Sequence, residues 1–429
     1  MKIVVIGGGS TYTPELIDGL ISRAGRLPVR EVWLVDPDEE RLKIVGAFAQ
    51  RMLRYANAPF RVELTGDRRR ALDGADFVIT QLRVGGQTAR HGDELLGRRH
   101  HLVGQETTGV GGFAKALRTV PVMLAIARDM RELSPHATLV NFTNPAGIVT
   151  EALVRHGGVP VVGLCNNAIN AQRAIATTFH VPPEQVQIEQ VGLNHLNWIR
   201  RISIGGDDAT AAVLQSYVER LRHDEGKIHF PPALVAALQA IPSSYLEYFY
   251  LESQVVARQD SGVPTRAEVV MDVERRLLER YSDPHLCEKP PELMERGGAY
   301  YSEAAAALIE SLWSDDGAVH VVNTRNDGAI PNLPADVVVE IPCRVGTNGA
   351  QPLPVAPLDP AMHGLAAAVK DYELLTVQAA VGGDEQAAML ALLANPLGPD
   401  ATAVEAVWAD LKQTNVGMLP TFAAEPPRH

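Results

Sequence analysis

The chain has 429 residues, 46% hydrophobic and 21% charged, with 39 basic against 51 acidic residues and a formal net charge of −12. That mixture builds a large globular core in two or three domains, and the negative balance argues against nucleic acid or an anionic membrane as the main partner. No apolar run approaches the ~20 residues of a bilayer span, the N-terminal apolar stretch is too short for a signal peptide, and Cys165, Cys287 and Cys343 lie far apart without a C-x-x-C pair. A cytoplasmic protein with reduced thiols is therefore expected, without a disulfide framework or Cys-rich zinc site.

Residues 3–6 form a short apolar run that breaks into Gly7-Gly8-Gly9-Ser10 and then the helix-like Thr13-Pro14-Glu15-Leu16-Ile17. Glycines let backbone approach a pyrophosphate that the following helix N-terminus attracts, so Gly7, Gly9, Ser10 and Thr11 make a candidate dinucleotide loop. The G-x-G-x-x-G fingerprint is incomplete, with Tyr12 at the third glycine position, and the same loop also fits a strand-to-helix turn that binds nothing. The second strand-like run, 31–35, leads into Asp36. A carboxylate there accepts from both ribose hydroxyls and repels a 2′-phosphate, which predicts NAD rather than NADP.

Further strand-like runs near 76–82, 137–142 and 160–164 are separated by helix-like segments near 13–24, 38–55 and 113–133, the last interrupted by Pro121. This rhythm predicts an α/β fold with a Rossmann-type doubly wound parallel sheet over 1–190. From 191 to 429 the pattern changes to a mixed α/β substrate domain, opening with a strand-like run at 196–202 and ending in Ala/Leu-rich helices near 361–394 and 401–412 and a frayed tail at 426–429.

Open parallel sheets bind ligands at the carboxyl ends of their strands, where the sequence puts four polar clusters: Arg83 with Arg90, Asn141 with Asn144, Cys165-Asn166, and Asn194-His195. Taken singly, a strand-end cysteine is commonly a small buried hydrophobe and a lone histidine a core or surface residue. Tyr245, in the aromatic stretch 241–250, reads as helix packing, and Arg266 as either a phosphate clamp or a solvated side chain. Pattern alone reaches an NAD-binding enzyme.

Ordered blocks along nearly the whole chain carry a resemblance: Gly7-Gly8-Gly9-Ser10-Thr11-Tyr12, Gln81-Leu82-Arg83-Val84-Gly85-Gly86, Gly104-Gln105-Glu106-Thr107, Asn141-Phe142-Thr143-Asn144-Pro145, Gly163-Leu164-Cys165-Asn166, Gly192-Leu193-Asn194-His195, Arg296-Gly297-Gly298-Ala299-Tyr300-Tyr301, and the run from Asn332 through Glu340 to Pro342. With these the chain resembles glycoside hydrolase family 4, in particular its NAD- and Mn-dependent 6-phospho-β-glucosidases. The resemblance implies a lactate/malate dehydrogenase-like first domain and a divalent metal, usually Mn²⁺, held by Cys165 and His195. It makes Tyr245 the catalytic base and places Arg90, Glu106, Asn144, Asn166 and Arg266 around a phosphorylated sugar. Arg83 falls either at the cofactor or behind Arg90.

The implied chemistry is an NAD-dependent exception to the two-carboxylate scheme of most glycosidases. Oxidation at C3 acidifies the C2 proton, Tyr245 removes it, the aglycone leaves C1, water adds, and C3 is reduced again. A tyrosine of ordinary pKa near 10 is a poor base, so this route needs a nearby cation. Asn166, where relatives that cleave phospho-α-glucosides often carry Asp, points to the β class, although Asn167-Ala168 replace the usual Val-Pro. The expected partners are a phosphorylated disaccharide or aryl glucoside and a second copy of the chain, as a homodimer or homotetramer. The alternatives are a 6-phospho-α-glucosidase, a hydroxy-acid dehydrogenase releasing NADH, and a non-catalytic NAD sensor.

Overall fold

The computed structural model describes residues 1–223, 229–296 and 300–422. Its strands are β1 (Lys2–Ile6), β2 (Glu31–Val35), β3 (Arg61–Thr65), β4 (Phe77–Thr80), β5 (Thr138–Asn141), β6 (Val161–Gly163), β7 (Val186–Leu193), β8 (Leu196–Ile204), β9 (Asp207–Asp208), β10 (Ile241–Pro242), β11 (Val319–Arg325), β12 (Val338–Gly346) and β13 (Gly349–Pro352). Apolar runs such as Ile3-Val4-Val5-Ile6 and Phe77-Val78-Ile79 are buried on both faces, as strands covered by helices on two sides must be.

Strands β3-β2-β1-β4-β5-β6 lie side by side and parallel, the doubly wound order with its switch point between β1 and β4. The expected Rossmann-type sheet is therefore present. It does not stop at β6: β11 pairs antiparallel with β6, β12 with β11, β7 with β12, β8 with β7 and β10 with β8. The boundary expected at residue 190 falls within β7, and one sheet runs through both halves of the chain.

Helix Thr13–Ser22 packs on Tyr301–Ser314, while Gly109–Leu133 packs on Gly86–Arg99, Ala146–His156 and Pro360–Gly382. Gly109–Leu133 revises the expectation that no segment could span a bilayer. Its 25 residues include an 18-residue window of mean hydropathy 1.4, yet 78% of that window is buried inside the fold, as befits a central core helix. Pro121 lies within it without ending it.

The helix expected over 361–394 is two helices, Pro360–Gly382 and Glu385–Ala394. Gly383 turns the chain at φ 63°, and the Asp384 carboxylate then accepts from Ala387 N at 3.0 Å to start the second helix. The tail at 426–429 and residues 297–299 of the Arg296–Tyr301 block lie outside the described residues.

Candidate active site

The loop after β1 is shaped by close approach. Gly7 has φ 90°, and a Cβ there would meet the backbone of Gln81 and Leu82 at 2.9 Å; a Cβ on Gly9 would sit 2.9 Å from Asp36 Oδ2. Gly7 N and Gly8 N donate to Val35 O at 2.9 Å each, and Gly9 N donates to Asp36 Oδ2 at 2.9 Å, so the loop is tied to the end of β2. Burial raises the Asp36 pKa, while the Asp38 and Gly9 N–H groups and Arg41 oppose that shift.

Ser10 O accepts from Thr13 N at 2.9 Å, and no side chain caps the ten-residue helix Thr13–Ser22. Thr11 is fully buried, its carbonyl accepting from Tyr281 Oη at 2.9 Å. Its own hydroxyl has no partner among the described residues. A loop that only glycine can form and an orphaned buried hydroxyl leave room and a polar group for a dinucleotide, while the N–H groups of Gly7 to Ser10 and of the first helical turn are bonded within the protein.

Downstream of β4, one carboxylate gathers three cations. Glu106 is in close contact with Arg83, accepts from Lys115 Nζ at 2.6 Å and lies 3.2 Å from Arg90 Nη2. Arg90 also donates to Glu94 Oε1 at 2.8 Å, and the other oxygen of Glu94 takes Ala267 N at 3.0 Å. Burial alone would raise the Glu106 pKa, yet Arg83, Lys115 and Arg90 hold it well below the ordinary carboxylate value. Burial and Arg83 pull Lys115 down to about 7 against the attraction of Glu106. The cluster has three cationic groups, Arg83, Arg90 and Lys115, against two carboxylates, Glu94 and Glu106. Its surplus of positive charge faces a chain that is negative overall.

His195 sits in the two-residue turn between β7 and β8, at φ 63°, a left-handed conformation uncommon for a side-chain-bearing residue. Its Nδ1 lies 3.1 Å from Thr107 Oγ1, which fixes the ring and leaves Nε2 to another partner. Burial, helped by Lys115, lowers its pKa to about 3, so the imidazole is neutral and able to ligate a metal. The Tyr245 ring stacks on it with centroids 3.7 Å apart and planes 7° off parallel.

Cys165, just past β6, is close enough to Tyr245 for their charges to interact. Burial and then Glu340 push the Cys165 thiol up to about 12, while the nearby Asn167 N–H, Asn194 side chain and Asn166 N–H oppose that shift. Burial, with Cys165, Tyr248 and Glu106 adding to it, drives the Tyr245 phenol further above its usual value.

Both groups are poor bases until a cation lies beside them. Among the described residues no three His, Cys, Asp or Glu side chains form a metal cluster. Cys165 and His195, which both neighbour Tyr245, are a thiol and a neutral imidazole, donor types that suit a divalent metal and are fewer than a structural site employs.

Arg83 is joined to Arg90 through Glu106 rather than to the glycine loop. Asn144 precedes Pro145 and its Oδ1 accepts from Ala146 N at 3.3 Å, while Asn141 is fully buried and bonded to Thr80 and Thr150. Asn166 sits at the start of helix Asn167–Phe179 beside Cys165. Arg266 is exposed, its Nη2 donating to the carbonyls of Glu295 and Arg296 at 3.2 and 3.1 Å, while the next residue, Ala267, bonds to Glu94 of the Glu106 cluster.

Tyr245 lies in the short helix Ser244–Leu246, and instead of merely packing it faces His195. Sequence reasoning missed Lys115 and Thr107. It also missed Arg41, which donates to Gly9 O at 2.7 Å and pairs with Glu274 at 2.8 Å. Glu274 in turn binds Gln87 and Arg296, at 2.9 and 2.8 Å.

Residues 2–181 match the sequence family described as family 4 glycosyl hydrolase, and residues 190–398 its C-terminal domain. A probable 6-phospho-beta-glucosidase of Bacillus subtilis is 44% identical over 435 residues, 98% of each chain. The 6-phospho-beta glucosidase of Thermotoga maritima, solved with manganese, NAD⁺ and glucose-6-phosphate, superposes with a TM-score of 0.92 at 38% identity, covering 98% of this chain and 99% of that one. A phospho-alpha-glucosidase of Clostridium acetobutylicum is 29% identical over 447 residues, covering 97% of this chain and 98% of that one.

A malate dehydrogenase of Cryptosporidium parvum, at 15% identity and a TM-score of 0.54, shares the fold, with 89% of this chain and 97% of that one aligned. The dehydrogenase-like sheet, the ordered sequence blocks and the full-length matches agree: the chain belongs to family 4 of the glycosyl hydrolases.

Proposed function

We propose that this chain hydrolyses 6-phospho-β-glucosides with NAD⁺ and a divalent metal, Mn²⁺, by oxidation, elimination, addition and reduction at one sugar. The observation that supports this reading is Tyr245 stacked on His195 within charge range of Cys165, since the chemistry needs a base close to the two side chains that would hold the metal. When bound, NAD⁺ supplies a hydride acceptor for the sugar and the metal a Lewis acid for its hydroxyl oxygens. Cys165 and His195 hold the metal, while Gly7, Gly9, Ser10, Thr11 and Asp36 receive the dinucleotide.

Tyr245 takes the proton from C2 and returns it later, so one residue serves as base and then acid. Arg90, with Arg83 and Lys115 behind the shared Glu106, provides positive charge for the sugar phosphate, and Arg266, Asn144 and Asn166 complete the substrate's surroundings. Asn166 and the higher identity to the β-acting relative, 44% against 29%, support the β anomer. A homodimer or homotetramer in the cytoplasm is the setting we propose.

The test is release of p-nitrophenol from its 6-phospho-β-D-glucoside with NAD⁺, Mn²⁺ and a reductant, each omitted in turn, alongside the α anomer and the unphosphorylated sugar. Turnover of the phospho-β substrate that needs both cofactors and accumulates no NADH is expected. Stoichiometric NADH would mean a dehydrogenase, NAD⁺ binding without turnover a sensor, and preference for the α anomer a phospho-α-glucosidase.

The cofactor choice has its own test. Asp36→Ser is expected to weaken NAD⁺ binding and strengthen NADP⁺ binding, because the acid that repels a 2′-phosphate is gone and Arg41 lies beside that position. Fluorescence titration with both dinucleotides reads the change, and an unaltered preference would remove Asp36 from the cofactor site.

A further inference from the structure

Behind Cys165 and His195 lies a buried carboxylate that the reaction above does not use. Glu340, in β12, is 1% exposed, and its oxygens accept only from neutral amides. Gln190 Nε2 and Asn197 Nδ2 donate to Oε1 at 2.8 and 2.7 Å, and Asn194 Nδ2 and Asn323 Nδ2 donate to Oε2 at 2.8 and 3.0 Å. No cationic side chain pairs with it among the described residues. A buried charge without a counter-charge is costly, and four side-chain amides from β7, its turn, β8 and β11 reduce that cost without supplying a positive charge.

The placement of these donors is specific. Asn194 immediately precedes His195 in the turn, donates to the carboxylate, and has its side chain close enough to Cys165 to favour the thiolate, so one residue links Glu340 to both candidate ligands. The turn is braced from both sides, since Asn197 grips the same carboxylate from β8 and Glu340 is in register with Gly192 on β7. Asn323, the fourth donor, is in register with Gly163, which ends β6 two residues before Cys165. The strands that deliver the two metal ligands thus converge on Glu340. A divalent cation held by one thiolate would keep one excess positive charge, which an ionised Glu340 would balance.

We propose that Glu340 is a positioning residue of the metal site, orienting Cys165 and the His195 turn through Asn194 and balancing the bound cation. This rests on the reading that Cys165 and His195 hold a divalent metal. Outer partners of metal ligands typically alter metal affinity by about 10- to 100-fold.

The test is Co²⁺ titration of the full chain, followed by its thiolate-to-metal absorption, for the unmodified protein and for Glu340→Gln, Asn194→Ala and Asn323→Ala, with NAD⁺ affinity and circular dichroism as measures of folding. Glu340→Gln and Asn194→Ala are expected to bind Co²⁺ at least about tenfold more weakly, with a reduced thiolate band and unchanged NAD⁺ affinity. Asn323→Ala, which also leaves Glu340 three donors but keeps the Asn194 link, should bind Co²⁺ almost as the unmodified chain does. If Glu340→Gln does not fold, the contrast between Asn194→Ala and Asn323→Ala decides. Unchanged Co²⁺ affinity in Glu340→Gln and Asn194→Ala overturns the proposal, as does an equal loss in Asn323→Ala, which would signal general loosening. Absence of the thiolate band in the unmodified protein would instead remove the metal site itself.

Discussion

Tyr245→Phe is expected to keep NAD⁺ and Mn²⁺ binding and lose exchange of the substrate's C2 proton with solvent, with turnover down by about 10²- to 10⁴-fold, the usual contribution of a positioned acid or base. Phenylalanine preserves the ring that lies 3.7 Å from His195, so the wall of the metal site stays in place and only the hydroxyl is lost. Burial holds that hydroxyl protonated, and a cation on the adjacent thiol and imidazole would reverse the balance by favouring phenolate. The pair of readouts separates chemistry from binding: proton NMR of substrate in D₂O follows C2, and Mn²⁺ titration follows the metal. Exchange at the unmodified rate in the variant would take Tyr245 out of its role.

The largest effect on stability is expected from Glu106→Gln. It leaves Arg83, Arg90 and Lys115 facing one another without their shared anion, and breaking a buried ion pair from one side costs about 3–5 kcal/mol. The pH dependence has a definite sign. The folded pKa of Glu106 is depressed, so its contribution is fully present above the unfolded value near 4.5 and is lost as pH falls through the folded value. The part of the stability gap that comes from the titration of Glu106 itself should therefore hold down to about pH 4.5 and shrink below it.

Lys115 titrates the other way. Its folded pKa, about 7, lies below its unfolded one, so the unfolded chain binds the extra proton and stability rises with pH above neutral. Urea unfolding across pH 3 to 9 tests both signs. A gap that persists unchanged at pH 3 would contradict the ionised, cation-held Glu106.

The first half of the fold was legible because parallel strands buried on both faces are written as bare apolar runs, and the glycines that end β1 have a backbone reason to be there. Asp36 was legible for the same reason, as the polar residue that closes an apolar strand. Cys165 and His195 were not legible as a pair from spacing. They are 30 positions apart, one just past β6 and the other just past β7, strands that β11 and β12 separate in the sheet, so no local spacing couples them and only the resemblance does.

The residues missed altogether share a signature that can be read in retrospect. Lys115 is a lone charge in Phe113-Ala114-Lys115-Ala116-Leu117, and Glu340 a lone charge in Val337-Val338-Val339-Glu340-Ile341. A single ion inside an apolar element has to find partners in the interior, and both do. Residues 361–394 read as one helix because the apolar pattern persists across Gly382-Gly383, where a left-handed glycine and the Asp384 cap restart it.

The central claim is that one sugar passes through loss and return of its C2 proton at Tyr245 without net oxidation. Its most direct test is turnover of a 6-phospho-β-glucoside by the unmodified protein in D₂O with NAD⁺ and Mn²⁺, followed by NMR and mass analysis of the glucose 6-phosphate released. The prediction is deuterium at C2 with no accumulated NADH. Product carrying only protium at C2 would mean that the glycosidic bond breaks by direct displacement, and would contradict the assignment of Tyr245 and its metal site to this chemistry.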